Sequence, residues 1–384
     1  MALQARSDPA EALGIYVHVP FCATACDFCA FYQEAPEREA IRRYLETMQK
    51  AFRRPAPGRY ASTAFWGGGT PGLLRAADLE TLGGQMLEVL PAPPAEWTVE
   101  MAPSTVKADK LAVLRDLGVT RLSMGVQSFD ERMLDRLGRQ HSPRQVLRAI
   151  DTIHAAGFEN LNLDLIFAVP GQSLADWRRD LEAALAVGPT HLSTYCLTFE
   201  EDTRLWVQLQ RGEVQQRSER DEAAFYETSW EVLEGAGFAQ YEVSNYARPG
   251  HACEHNLNTW QMQEWLGYGP SAASQFAGRR FTQPSSLEAW TAGLEGGEET
   301  LEDEVSLSPA LLASDALIFG LRMNAGVDRP ALARRFPAAP WAAYDRLAAD
   351  LAEEGLLEIS RLGHWRLTPA GRLVADGVGA AFLE

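Results

Sequence analysis

The chain has 384 residues, of which 46% are hydrophobic, and it carries a net charge of −17 at pH 7. A chain of this size can bury a large core and is expected to form one big domain and a smaller one. The acidic balance argues against nucleic acid as the main partner, because phosphate binding needs a basic surface. No run approaches the ~20 apolar residues that cross a bilayer, so no transmembrane segment is predicted and peripheral membrane contact stays open.

Residues 1–14 are interpreted as an N-terminal arm. Their opening stretch, MALQARSDPAE, and the two residues after it lack the apolar core of a signal peptide. The five cysteines of the chain are an odd number, which argues against a disulfide framework. We therefore expect a cytoplasmic protein in a reducing compartment.

Six β-like runs follow, separated by helix-like stretches. The runs lie at 15–20, 63–68, 97–101, 121–127, 160–167 and 191–197, and the amphipathic segments between them at 37–54, 77–90, 107–116, 143–156 and 173–187. Repeated βα units predict an α/β fold with a parallel sheet and helices outside it, either a doubly wound sheet or a partial barrel.

Three cysteines follow directly after the first β-like run. Cys22, Cys26 and Cys29 are spaced C-x3-C-x2-C in the stretch FCATACDFC. Thiolates are the usual ligands of iron–sulfur clusters, and a 4Fe–4S cluster normally takes four of them. A close set of three therefore predicts a cluster with one iron left free to bind something else.

A zinc site is the alternative for the same stretch. Cys26 and Cys29 also have the spacing of a zinc half-site, and His18 lies shortly before the triplet as a possible further ligand. A structural zinc site usually has a second ligand pair downstream, whereas neither Cys196 nor Cys253 has a partner cysteine. The spacing favours the iron–sulfur cluster.

Polar and special residues follow the next four runs. The GGGTP segment 67–71 follows the second, Glu100 ends the third, Gln127 ends the fourth, and Asp164 lies late in the fifth. Because functional groups of parallel βα folds collect at the carboxyl ends of the strands, we expect these residues to lie around one opening at that end of the sheet. Glycines there would let backbone groups approach a ligand, and the two acids would suit ribose hydroxyls or an amine. The alternatives are that the GGGTP segment is a simple turn and that the two acids are helix caps.

These motifs together resemble a known superfamily. The cysteine triplet after YVHVPF, the GGGTP loop, GVQSF and LDLIFAVPGQ are similar to the radical S-adenosylmethionine superfamily. Within it, they resemble the group of oxygen-independent coproporphyrinogen III oxidases and HemW haem chaperones, over 14–375. The resemblance implies a partial (β/α)6 barrel similar to a TIM barrel, a 4Fe–4S cluster, and S-adenosylmethionine bound at the open iron.

The resemblance also implies roles for individual residues. Cys22, Cys26 and Cys29 would hold the cluster, while no catalytic side chain is assigned. Tyr16 and Phe28 would lie beside the cluster and adenosylmethionine. The methionyl end of adenosylmethionine would meet Gly68, Gly69 and Thr70, with Glu100 nearby. The last three positions, Gln127, Arg139 and Asp164, correspond to residues that in the oxidase line the same cavity and contact a second adenosylmethionine. An electron donor such as a flavodoxin or ferredoxin would be the partner for adenosylmethionine cleavage.

Three features favour the haem chaperone branch. The oxidase motif continues to a fourth cysteine where this chain has Phe31, and the oxidase has a longer N-terminal arm. The stretch YEVSNYARPGHACEHNLNTW resembles the chaperone signature, with His255 and Asn256 followed by Trp260. The resemblance thus implies haem binding and haem transfer to acceptor haemoproteins. The alternative is radical oxidative decarboxylation of coproporphyrinogen III or a related tetrapyrrole.

Two positions depart from the family signature. Thr259 stands where the family usually has tyrosine, and Ala273 where the chaperone would have histidine, so either could remove a haem contact. Two roles remain for His255. It could be linked to haem, since imidazole is a common iron ligand, or it could be a core histidine whose hydrogen bonds are made within the protein. Cys253 could bind haem iron as a thiolate, although a lone cysteine is more often a small packed side chain.

The βα pattern ends near residue 282, so 15–282 are assigned to the core with its family-specific extension. Residues 283–304, which include LEGGEETLEDE, are interpreted as an exposed connector. Three helix-like segments and a strand pair in 305–384 predict a small winged-helix-like domain. Only Arg334 and Arg335 are adjacent basic residues in its helices, so a lid or partner-docking role is expected instead of nucleic-acid binding.

Overall fold

The computed structural model describes residues 13–54, 59–296 and 300–383. The predicted N-terminal arm, 1–14, therefore lies outside the described residues except for its last two. Across the described ranges, no helix is both long enough and apolar enough to span a membrane.

Six parallel strands alternate with helices in the first half of the chain. In order they are β1 Leu13–Val19, α1 Arg38–Phe52, β2 Ala61–Gly68, α2 Ala76–Val89, β3 Glu96–Met101, α3 Ala108–Leu117, β4 Arg121–Gln127, α4 Glu131–Arg136, α5 Pro143–Ala155, β5 Leu161–Phe167, α6 Leu174–Ala186 and β6 His191–Cys196. The six predicted strands and five predicted helices are confirmed. The short helix α4 was not predicted.

The strand order decides between the two architectures that the sequence left open. The strands β1 to β6 lie side by side in chain order, and each pairs in parallel with the next. A doubly wound sheet requires the order to reverse at a switch point, whereas sequential order is that of a barrel. The partial (β/α)6 barrel is confirmed.

Alternation along the strands separates an apolar outer layer from a polar interior. In β1, Ile15, Val17 and Val19 are at most 3% exposed and belong to the main hydrophobic core with the helices. The residues between them, Tyr16 and His18, face the other side, because successive side chains of a strand point to opposite faces. The inner face of the barrel can therefore carry chemical groups while the outer face packs.

Further strands extend both edges of the barrel sheet. The elements are α7 Arg204–Gln210, α8 Glu219–Gly235, β7 Ala239–Glu242, β8 Asn245–Ala247, α9 Glu254–Trp260, β9 Glu264–Tyr268, β10 Ala273–Phe276, β11 Arg279–Thr282, α10 Leu287–Gly296 and β12 Glu302–Ser306. The sheet order is β12-β11-β10-β9-β1 at one edge and β6-β8-β7 at the other. The segment 283–304, expected to be an exposed connector, thus contains a helix, whose Trp290 is 1% exposed and packs near Tyr44.

The C-terminal residues form a separate small layer. They comprise α11 Pro309–Arg322, β13 Val327–Asp328, α12 Arg329–Arg335, α13 Trp341–Glu353, β14 Leu357–Ile359, β15 His364–Leu367, α14 Pro369–Leu373 and α15 Ala375–Ala381. The strands form a sheet in the order β13-β15-β14. A third, two-residue strand is thus added to the predicted pair, and the succession of helices and strands is winged-helix-like, as predicted.

Helix α9 joins this layer to the barrel. The rings of Trp260 in α9 and Phe319 in α11 lie 5.8 Å apart, and the guanidinium of Arg322 lies 5.0 Å from the Trp260 ring. An ion pair of 2.8 Å between Arg280 and Asp315 links β11 to α11. Contacts from the C-terminal layer therefore help to fix the position of α9.

Candidate functional site

A cavity of about 780 Å³ opens at the carboxyl ends of the parallel strands. We call it the first cavity. Its lining includes eight residues predicted from the sequence, namely Phe28, Cys29, Gly69, Thr70, Glu100, Gln127, Arg139 and Asp164. Its volume falls in the range of small-molecule binding sites, about 300–1,000 Å³.

Backbone hydrogen bonds fasten the cysteine loop to the GGGTP loop. The amide of Gly69 donates to the carbonyl of Val19 at 2.9 Å, and the amide of Thr70 donates to the carbonyl of Phe21 at 2.8 Å. On the other side, the amide of Cys22 donates to the carbonyl of Glu34 at 3.0 Å. The first cysteine is therefore held on both sides by main-chain contacts.

Each thiol of the triplet has one polar side chain beside it. Arg139 donates to Sγ of Cys26 at 3.1 Å, and Gln33 donates to Sγ of Cys29 at 3.1 Å. The Thr70 hydroxyl lies 3.8 Å from Sγ of Cys22. Burial raises the pKa of Cys22 to about 11 and also raises the pKa of Cys29. The thiols of Cys22 and Cys29 would thus stay protonated until a metal binds, because coordination deprotonates them.

The one further zinc ligand suggested by the sequence, His18, has other partners in the structure. Within 13–54, 59–296 and 300–383, no three histidine, cysteine or carboxylate side chains are grouped as they would be around one metal ion. A cubane takes each thiolate on a different iron, so its ligands can stand further apart. His18, the suggested zinc ligand, points elsewhere: its Nε2 donates to the Tyr32 carbonyl at 3.4 Å, and its Nδ1 accepts from the Tyr16 hydroxyl at 3.3 Å.

The three glycines of GGGTP also leave room for other atoms of the protein. A Cβ on Gly67 would lie 2.8 Å from an oxygen of Glu100, and a Cβ on Gly68 would lie 2.4 Å from the ring of His18. A Cβ on Gly69 would lie 2.6 Å from the carbonyl oxygen of Val19. These glycines let the cysteine loop and Glu100 pack closely. Gly68, expected beside adenosylmethionine, does not line the first cavity.

Two carboxyl groups share the polar side of the first cavity. Burial and the neighbouring Asp164 raise the pKa of the half-buried Glu100 to about 8. Burial also raises the pKa of Asp164, although it accepts hydrogen bonds from Asn162 at 2.8 Å and Ser123 at 3.1 Å. A cationic ligand between Glu100 and Asp164 would favour the ionised form of both carboxyl groups, and both would then attract the ligand.

The end of β4 is bent at Gln127. Its φ of 67° is left-handed, and the pairing of β4 with β5 shifts register between Gly125 and Gln127. Arg139 donates to the Gly125 carbonyl at 2.9 Å from the same guanidinium that reaches Cys26. Strained backbone of this kind persists where the surroundings hold it, often at functional sites. One arginine thus connects the bend to the cysteine loop.

Sequence reasoning missed residues at the end of β6. Tyr195 and Cys196 line the first cavity, as do Ile166 at the end of β5 and Glu200 beyond β6. The rule that chemistry collects at strand ends could have found the first two, because the sixth β-like run was identified. No motif marked them.

A second cavity of about 530 Å³ lies beside the first. Its lining residues are Tyr16, His18, Ala30, Phe31, Tyr32, Phe65, His255, Asn256, Thr259, Trp265, Ser271 and Ala273. Tyr16, expected beside the cluster and adenosylmethionine, therefore lies in this cavity and does not line the first. Both positions that depart from the family signature, Thr259 and Ala273, also fall here.

His255 is one of two buried imidazoles that line the second cavity, and the other, His18, has both ring nitrogens engaged. Its Nδ1 lies 2.9 Å from the Thr63 hydroxyl, and its ring lies 5.4 Å from the Phe65 ring. No hydrogen bond reaches its Nε2 from the part of the chain that the structure describes. Burial lowers its pKa to about 4, so the ring is neutral at physiological pH. A neutral imidazole with one engaged nitrogen is the form that ligates metals.

The start of α9 is held by a carboxylate from β3. Glu96 accepts hydrogen bonds from the amide of His255 at 2.9 Å and the amide of Glu254 at 3.0 Å. The thiol of Cys253 also donates to Glu96, at 3.5 Å, and Cys253 is 1% exposed. Cys253 thus lies in neither cavity and is a packed side chain.

Family models match two parts of the chain. Residues 16–184 match the model of the radical SAM superfamily, and residues 307–374 match that of the HemN C-terminal domain.

Curated relatives cover nearly the whole chain. The heme chaperone HemW of Bacillus subtilis is 30% identical over 96% of this chain and 98% of the relative. The heme chaperone HemW of Escherichia coli is 32% identical over 97% of this chain and 98% of the relative. Among solved structures, the coproporphyrinogen III oxidase HemN of Escherichia coli superposes with a TM-score of 0.85 at 23% identity, covering 98% of this chain and 91% of that one. At that identity the superposition shows a shared fold.

Proposed function

The chain belongs to the heme chaperone HemW family of the radical SAM superfamily, and we propose on that premise that it binds haem and passes it to acceptor haemoproteins. The single observation that supports this most directly is His255, a neutral buried imidazole that lines a cavity of about 530 Å³ and whose Nε2 has no hydrogen-bond partner among the described residues. Histidine is a common axial ligand of haem iron.

The lining of the second cavity suits a flat apolar ligand. Phe65 and Trp265 supply aromatic surface, and Tyr16 adds a third ring, 6.5 Å from that of Phe65. Aromatic rings pack well against flat conjugated ligands. At its edge, Thr259 donates its hydroxyl to the His255 carbonyl, so it steadies the helix turn that carries the imidazole. The threonine thus retains a positioning role where the family has tyrosine.

Cys22, Cys26 and Cys29 would hold the 4Fe–4S cluster that membership of the superfamily implies. When bound, that cluster supplies an open iron for S-adenosylmethionine and passes on the electron that cleaves S-adenosylmethionine. A flavodoxin or ferredoxin would provide this electron to the cluster. Arg139 and Gln33 would stabilise the thiolates, because each already donates to one of the sulfurs.

The chain's own acids would orient S-adenosylmethionine in the first cavity. Glu100 and Asp164 would face its cationic and hydroxyl groups from neighbouring strand ends, while Gly69 and Thr70 present their backbone from the opposite loop. Gln127, Arg139 and Phe28 complete this lining, which has room for a second small molecule or a side chain of a partner. Coproporphyrinogen III oxidation is not favoured, since the likeness to the oxidase shows the fold alone.

The C-terminal layer would dock the acceptor protein. Its helix α11 packs on α9 through Phe319 and Trp260, and α9 carries His255 five residues before that tryptophan. A partner bound to this layer would therefore sit next to the helix that holds the proposed haem ligand. Residues 15–282, 283–304 and 305–384 would then act as the core, the connecting segment and the docking domain.

A haemin titration of the anaerobically reconstituted protein tests the haem site. We expect His255→Gln, which keeps a hydrogen-bonding group for Thr63, to weaken haemin binding about tenfold or more and to leave iron and sulfide unchanged. His154→Gln changes an exposed histidine on α5 and is the matched control.

Product analysis on the same samples tests the alternative. The reduced protein with coproporphyrinogen III and S-adenosylmethionine should form no protoporphyrinogen. Protoporphyrinogen formation would make the protein an oxidase, and equal haemin affinity in His255→Gln and His154→Gln would remove His255 as the ligand.

A further inference from the structure

Phe31 is a large aromatic residue that the packing of the chain leaves uncovered. It is 70% exposed, compared with 42% for Tyr60 and 41% for Tyr195. It lies directly beyond the cysteine loop, two residues after Cys29. An exposed apolar side chain alone means little, so its surroundings decide what it does.

The backbone at Phe31 is fixed although its ring is free. The amide of Phe31 faces the sulfur of Cys29 as a hydrogen-bond donor. The next residue is held from two sides, because the Tyr32 carbonyl accepts from His18 at 3.4 Å and the Tyr32 hydroxyl accepts from the amide of Leu287 at 2.8 Å. The exposure of the ring is therefore a feature of a tethered segment.

Phe31 also stands between the two cavities. Together with Ala30 it lines both the first cavity, with Cys29, and the second cavity, with His255. These two residues are thus a shared wall between the proposed cofactor site and the proposed haem site. A ligand in the second cavity would meet the free face of the Phe31 ring.

We propose that Phe31 stacks on the tetrapyrrole that binds beside His255 and closes the wall between the two cavities. The proposal rests on the proposed function and adds a residue that selects the ligand by its flat aromatic face, independently of iron. A tetrapyrrole would cover the exposed ring, and the ring would keep the macrocycle out of the first cavity. Tyrosine at this position would serve equally, whereas leucine would offer area without a flat face.

Two ligands separate this role from iron ligation. Haemin, followed by its Soret band, reports both stacking and the bond to His255, whereas metal-free protoporphyrin IX, followed by fluorescence, reports stacking alone. We expect Phe31→Ala to weaken both ligands about three- to tenfold, Phe31→Leu to weaken them less, and Phe31→Tyr to match the parent. His255→Gln should weaken haemin and leave the metal-free porphyrin unchanged.

Controls make each outcome decisive. Tyr60→Ala removes another exposed aromatic, one that lines neither cavity, and should leave both affinities unchanged. Iron and acid-labile sulfide should be the same in Tyr60→Ala as in the parent, which gives the reference for the Phe31 variants. Parent-like affinity of Phe31→Ala for both porphyrins would overturn the proposal, as would an equal loss of affinity in Phe31→Tyr and Phe31→Ala. Failure of the parent protein to bind either porphyrin would instead contradict the proposed function itself.

Discussion

The two cavities share a wall and yet are built by different rules. The first gathers groups from the ends of successive parallel strands, among them Glu100, Gln127 and Asp164. The second combines the inner face of β1 and β2 with helix α9, so Tyr16 and Phe65 share a cavity with His255, which lies 239 and 190 residues further along the chain. Local repetition creates the first cavity, whereas a long-range return of the chain creates the second.

This difference teaches where each cavity is vulnerable. The first depends on one short loop that is fastened to its neighbour through backbone atoms. The second depends on α9, which is held by Glu96 on the barrel side and by Phe319 on the C-terminal side. Substitutions can therefore disable one cavity and spare the other, and three experiments test that separation.

The largest effect is expected from Cys26→Ser. The variant should lose the iron and acid-labile sulfide of the reconstituted protein, because one of three thiolates is removed and Arg139 loses its sulfur partner. Haemin affinity should persist, since Cys26 does not line the second cavity. Cys196→Ser, which changes a thiol that lines the first cavity but lies outside the triplet, is the control and should keep its iron. Full iron and sulfide in Cys26→Ser would refute the ligand assignment.

Gly69→Ala should have the next largest effect. Its Cβ would overlap the carbonyl oxygens of Val19 and Phe21, so backbone must move. We expect the free energy of unfolding to fall by about 1–3 kcal/mol, measured by denaturant titration, with a lower cluster content after reconstitution. Gly84→Ala, in α2 with open space around it, should be neutral or stabilise by up to about 1 kcal/mol. Equal stability of the two variants would show that the two loops are not tightly packed.

The smallest effect is a change in pH dependence in Glu100→Gln. In the folded protein the pKa of Glu100 is raised from 4.5 to about 8, so its contribution to stability is complete below 4.5 and is lost as pH rises through 8. Without ligand, the melting temperature of the parent should therefore fall more steeply between pH 6 and 9 than that of the variant. Glu80→Gln, an exposed position on α2, should follow the parent. If the melting temperatures of parent and Glu100→Gln fell in parallel between pH 6 and 9, a half-buried, protonated Glu100 would be contradicted.

Several features of the fold and site were readable from sequence because their causes are local. The period of apolar residues predicted β1 to β6 and their helices, and the strand-end rule placed Glu100, Asp164 and Gln127 at one mouth. The ligand-contact role predicted for the GGGTP residues stays a prediction, and the structure adds that a Cβ on Gly67, Gly68 or Gly69 would meet protein atoms. The spaces beside them are set by strand pairing, which residue spacing does not report.

What the sequence by itself determined is the spacing of the cysteine triplet and the alternation of strands and helices, since both depend on neighbouring residues. Only the tertiary structure decided that Tyr16 enters the second cavity, that Arg139 reaches Cys26, and that Phe31 stands between the two cavities. The physical reason is that a strand's side chains alternate between two faces, while the curvature of the sheet and the return of α9 decide what each face meets.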